Sequence, residues 1–155
     1  MLSMQEALER AIEAERQGAA FYRMVAKMTD DLEAQAFLME MAGEEEQHAD
    51  TLLAMARGER AKTIDWSSIL TLHAGDAQEP DQERGEETMD LREAVEIALE
   101  SEKHAAYTYA CMGSETEGEV QELFTHLALT EQHHAEMLEG LLQRMEASSS
   151  PEASP

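Results

Sequence analysis

Apolar residues recur along this chain in steps of three and four, through four separate stretches. Leu8, Ile12, Ala19 and Tyr22 form the first set, and Leu38, Met41, Leu52 and Met55 the second. Val95, Leu99, Ala106 and Tyr109 form the third, and Phe124, Leu127, Leu138 and Leu141 the fourth. That period places each set on one stripe of an α-helix, the seam of a helical bundle. Start signals agree with the stripes. Ser3-Met4-Gln5-Glu6 caps a first helix running to about Lys27. Asp30-Asp31-Leu32-Glu33 caps a second, running to about Arg57 with Gly58 as its stop. Asp90-Leu91-Arg92-Glu93 caps a third that ends near Gly113, and Thr116-Glu117-Gly118-Glu119 a fourth that reaches about Glu146. The fold class expected is all-α, an antiparallel four-helix bundle.

The connections set the topology. Short turns join helices one and two, and helices three and four, so residues 3–57 and 90–146 each predict an antiparallel hairpin. The segment 58–89 is too long for a turn. A helix of 25 residues is about 37 Å long, and a crossover of this size can span it and deliver helix three parallel to helix two. Thr63-Ile64-Asp65-Trp66 and Ile69-Leu70 are expected to pack the crossover down, with the acidic stretch 75–87 mobile. Residues 1–146 then form one domain, and 147–155 a disordered tail.

Each stripe is broken once, in its middle, by a glutamate: Glu15, Glu45, Glu102 and Glu131. In helices two and four a histidine follows three residues later, on the same face. The segment Glu45-Glu46-Gln47-His48-Ala49-Asp50-Thr51-Leu52 returns as Glu131-Gln132-His133-His134-Ala135-Glu136-Met137-Leu138, both reading Glu-x-x-His-Ala-x-x-Leu. Helices one and three share Glu-x-x-x-Ala-x-x-Tyr, from Glu15 to Tyr22 and from Glu102 to Tyr109. Glu15 and Glu102 are 87 residues apart, Glu45 and Glu131 86, so the two hairpins are copies.

Four carboxylates on one apolar seam cannot stand alone. Burying one unpaired carboxylate costs several kcal/mol, and four like charges repel further. No Lys or Arg lies at the central seam positions. Two divalent cations would match the four charges and take the two imidazoles as ligands, with protonation relieving part of the charge when no metal is bound. Hard carboxylates with imidazole suit iron or manganese, and zinc also binds such sets.

Net charge changes the picture of partners. The 155-residue chain carries −23. Nucleic acid and anionic membrane surfaces demand a basic face, which this chain lacks. Cys111 is the one cysteine, so there is no intramolecular disulfide and no Cys-x-x-Cys metal knuckle. The charged stretch Met1 to Arg16 does not read as a signal peptide, and no apolar run approaches the roughly 20 residues of a membrane span. A soluble, cytoplasmic protein is expected.

A Glu from each of two helices, with Glu-x-x-His from the other two, is the di-iron arrangement of helical bundles. On Glu15, Glu45, His48, Glu102, Glu131 and His134, with Tyr22 and Tyr109 also matching, the chain resembles the ferritin-like superfamily. Within it, residues 5–145 look like the rubrerythrin or erythrin-like branch. The resemblance implies two divalent metal ions, iron first, that react with O2 or hydrogen peroxide. It implies bridging roles for Glu45 and Glu131, a nitrogen ligand from each of His48 and His134, and terminal roles for Glu15 and Glu102.

Typical rubrerythrins carry a rubredoxin domain whose iron is held by four cysteines. With Cys111 alone, a peroxidase of this kind needs an external electron-transfer protein. Typical members also have a further glutamate one turn past the helix-three ligand, where this chain has Ala105. A homodimer or higher homo-oligomer is expected from the family. Iron storage or delivery with ferroxidase activity, and a metal-binding bundle without turnover, are the alternative functions.

Tyr22 and Tyr109 lie two turns, about 10 Å, beyond Glu15 and Glu102. Across an antiparallel bundle each can reach and orient a ligand on another helix; the alternative is an ordinary buried tyrosine with a wet hydroxyl. His133 points about 100° away from His134 and reads as a surface residue. His104 and His126 read as peripheral, and His73 falls in the crossover. Met24, Met28, Met39 and Met41 sit at helical spacing and read as core. Cys111 is expected to be half-buried.

Overall fold

The structure, a computed structural model, describes residues 3–58 and 89–149. Its elements are α1 (Met4–Ala26), α2 (Leu32–Gly58), α3 (Leu91–Ser114) and α4 (Gly118–Ser149), with no strand among the described residues. The protein is an all-α four-helix bundle. The crossover and residues 150–155 of the expected tail lie outside the described residues.

Local chemistry explains the helix starts. Ser3 accepts from the Glu6 amide while the Glu6 carboxylate accepts from the Ser3 amide, a complete capping box. Asp31 takes the amides of Glu33 and Ala34, and Asp90 takes that of Glu93. Three boundaries differ from expectation. Gly58 is still helical. Thr116 does not cap α4: its hydroxyl donates to the carbonyls of Met112 and Gly113 and so closes α3. Gly118, at φ 67°, then turns the chain into α4 through a conformation that favours glycine. α4 also outruns Glu146, continuing to Ser149.

The helices pair as hairpins, α1 on α2 and α3 on α4. Exposed ion pairs bridge within each hairpin, Arg23 to Glu46 at 2.6 Å and Arg92 to Glu146 at 2.5 Å, and contribute little. Apolar layers join the hairpins to each other. One layer contains Leu8 and Ile12 of α1, Leu52 of α2, Met112 of α3 and Phe124 of α4. The other contains Val25, Leu38, Val95 and Leu138. The first gathers the start of α1 and α4 with the end of α2 and α3. Helices two and three therefore run parallel, as a crossover requires. Not every methionine read as core is inside: Met24 and Met39 are 46% and 49% exposed, whereas Met41 is buried and Met28 packs at the edge. Met24 and Met39 fall one position off the buried Val25 and Leu38, which turns them outward.

Candidate metal centre

Between the two apolar layers lies a charged one. Glu15, Glu45, Glu102, Glu131 and His134 are all buried, and the side chain of His48 is 12% exposed. The heptad-like spacing that puts leucines on the seam above and below puts these six residues at mid-height. Their donor atoms gather into two overlapping groups. Glu15, Glu45, His48 and Glu131 form one; Glu45, Glu102, Glu131 and His134 form the other. Within each group the atoms lie within 4.8 Å of one another. Glu45 and Glu131 belong to both.

The histidines face the cluster through Nδ1. That atom of His48 is 3.0 Å from Glu131 Oε1, 3.3 Å from Glu15 and 3.6 Å from Glu45. That atom of His134 is 3.0 Å from Glu45 Oε1, 3.1 Å from Glu131 Oε2 and 3.7 Å from Glu102. The rings stack at 5.7 Å with 21° between their planes. Both tyrosines reach across the hairpins. Tyr22 donates its hydroxyl to Glu102 Oε1, and Tyr109 donates to Glu15 Oε1. Each outer carboxyl is thus held by the tyrosine of the other copy of the motif.

Burial pushes Glu15 up to about 9, with help from Glu45 and Glu131 and against a hydrogen bond from His48. Burial does the same to Glu102, also to about 9, with Glu131 adding to the rise and His134 opposing it. Burial works against the charge on Glu45 and Glu131 too, but hydrogen bonds from both histidines overcome it and hold these two below the usual carboxylate range. Desolvation disfavours charge on His48, yet its bonds to Glu131, Glu15 and Glu45 raise it to about 12. His134 is raised in the same way by Glu102, Glu131 and Glu45. At neutral pH two carboxylates therefore balance two imidazolium rings, and two carboxyls keep their protons. Protonation can thus relieve the whole formal charge, more than the part expected from sequence. Two divalent cations in exchange for those four protons leave the layer neutral again.

Glu45 Oε1 and Glu131 Oε1 are buried without a hydrogen bond. Ring nitrogens lie 3.0 Å from each, but the His48 Nδ1–H is directed at Glu15 Oε2 and that of His134 at Glu131 Oε2. Buried acceptors without donors are costly. Buried oxygens without donors, on the two residues shared by both groups, suit metal cations. The donor set therefore fits a pair of divalent metals.

A family model for rubrerythrin matches residues 6–142. The chain belongs to the rubrerythrin family. No curated protein and no solved structure gives a match. All six clustered residues lie within the matched span. No described helix is long and apolar enough to cross a membrane.

The residues read as peripheral from sequence fall outside the cluster: His133 and His126 are exposed, and His104 and Cys111 are half-buried. His73 lies outside the described residues. One polar residue at the site was not foreseen. Glu44 places Oε2 2.5 Å from His134 Nε2, on the side of the ring away from the cluster. It stands in the run Glu44-Glu45-Glu46, and its counterpart in the second motif is Thr130, so neither composition nor the repeat marks it.

Proposed function

We propose that this rubrerythrin-family chain is a di-iron oxidoreductase that reduces hydrogen peroxide or O2, using electrons from an external donor protein. The observation that carries the reading is the sharing of Glu45 and Glu131 between two four-residue donor groups in a buried layer. Two ferrous ions, bound there, would each supply one electron, together enough to reduce peroxide to water. Glu15 with His48 would hold one ion, Glu102 with His134 the other, and Glu45 and Glu131 would span both.

The surrounding chain has its own tasks. Phe124, Leu127, Leu38 and Leu138 belong to the apolar layers above and below, whose low polarity strengthens electrostatic interaction inside. Tyr22 and Tyr109 keep Glu102 and Glu15 from rotating away. These hydroxyls also stand as proton donors beside the outer carboxylates, since burial and the adjacent glutamates hold them un-ionised.

Anaerobic loading with ferrous iron followed by one equivalent of hydrogen peroxide tests the reading. Rapid appearance of a ferric absorption band, with peroxide consumed at one per two irons, is expected. Stable ferrous binding with no oxidation would leave a metal protein without this activity.

A further inference from the structure

The six-residue cluster is nearly two-fold symmetric, but its surroundings are not. His134 is wholly buried, and Glu44 closes over its outer edge with a carboxylate whose side chain is 39% exposed. Nε2 lies 2.5 Å from Glu44 Oε2, and a carboxylate oxygen accepts, so the ring proton belongs on Nε2. With that proton held outward, Nδ1 is the nitrogen left to offer a lone pair, and it faces Glu45, Glu102 and Glu131. On the other side, Thr130 occupies the position equivalent to Glu44, 86 residues on. Its hydroxyl donates to the His126 carbonyl at 3.0 Å, along its own helix. Among the described residues, the carboxylate contacts of His48 run through Nδ1, toward the cluster.

A carboxylate behind a metal-binding imidazole fixes its tautomer and ring plane and makes it a stronger ligand; losing such a partner typically costs 10–100-fold in metal affinity. We propose that Glu44 is a positioning residue for His134 and makes the two metal positions unequal, the one formed by Glu45, Glu102, Glu131 and His134 filling first. This rests on the dinuclear reading above. The inequality comes from one acidic residue outside the repeat, and it gives a centre built from two copied halves a defined order of filling.

The test is a titration of the full-length, metal-free chain with Zn(II) against a chromophoric chelator, read beside nitrogen NMR of the histidines. The unmodified chain should show two steps at least about tenfold apart. At one Zn(II) per chain, the coordination shift should fall on His134 Nδ1 and not on His48. Glu44→Ala should weaken the tighter step by about 10–100-fold and merge the two, with helicity by circular dichroism unchanged. Glu44→Gln, which keeps an acceptor, should retain part of the gap. Thr130→Glu should tighten the weaker step, and together with Glu44→Gln it keeps the test open if the alanine variant does not fold. Two equal steps in the unmodified chain, or a Glu44→Ala isotherm identical to it, would overturn the inference while leaving the dinuclear site standing. No Zn(II) binding at all would overturn both.

Discussion

The Tyr109 hydroxyl on α3 donates to Glu15 on α1, joining residues 94 apart in the chain. Tyr22 and Glu102 make the mirror-image bond between the same two helices. The motif Glu-x-x-x-Ala-x-x-Tyr thus serves as a reciprocal clamp: each copy supplies a ligand and also the hydroxyl that holds its partner's ligand. Because α1 and α3 belong to different hairpins, the clamp also ties the hairpins together at mid-height.

Tyr109→Phe should remove a buried hydrogen bond without leaving a cavity. The metal-free chain should lose about 1–3 kcal/mol of stability in urea unfolding, and Tyr22→Phe a similar amount. An unchanged midpoint and slope for both variants would mean that the clamp contributes nothing to holding the hairpins.

The metal-free chain should lose stability as pH rises from about 4.5 toward 9. Glu15 and Glu102 bind protons up to about 9 when folded, against an ordinary value of 4.5. His48 holds its proton to about 12, against an ordinary 6.5. Over that window the folded state binds more protons than the unfolded one, so stability falls with pH. Below about 4.5 the depressed Glu45 and Glu131 act in the opposite sense, and their contribution is lost as pH falls. The double variant Glu15→Gln with Glu102→Gln should flatten the upper slope in denaturation curves across pH; an identical slope would contradict the protonation pattern.

Metal binding should expel protons. At pH 7 two carboxyl protons and two imidazolium protons occupy the layer, which predicts the release of about four protons for two metals. Calorimetry with Zn(II) in buffers of different ionisation enthalpy counts them. Affinity should climb with pH at least to about 9, where the two carboxyls become ionised without metal. Binding that is independent of buffer and of pH would contradict this exchange.

Glycines in the helices should divide by their surroundings. A Cβ at Gly43 meets nothing within 4 Å, so Gly43→Ala should stabilise by about 0.5–1 kcal/mol through helix propensity alone. At Gly113 it would press on Thr125 Oγ1 at 3.3 Å and lie in ordinary contact with Phe124 Cβ and Thr125 N at 3.6 Å, so the same change should gain less or destabilise. Thermal melts of the two variants, compared in one buffer, decide it.

The legible parts of this molecule are those written in local patterns. Ser3 with Glu6, and Asp90 with Glu93, cap helices through contacts three residues apart, and each is plain in the sequence. The six clustered residues are legible for a different reason: glutamate in the middle of a leucine stripe has no cheap place to go. Thr116 misled because a hydroxyl between two helices can close the first or open the second, and sequence does not say which carbonyls or amides lie nearer. Glu44 was hidden because its partner, His134, is 90 residues away and on another helix. The charge balance needed geometry too. Only with three carboxylates measured around each ring nitrogen does it follow that the imidazoles act as cations when no metal is bound.

Iron content of the full-length chain, loaded with ferrous iron without oxygen and freed of excess, tests the dinuclear centre most directly. Two irons per chain are predicted, falling to one for His48→Ala or His134→Ala, and to none for Glu45→Ala or Glu131→Ala, whose carboxylates belong to both donor groups. One iron or none in the unmodified chain, or two retained by Glu45→Ala, would contradict it.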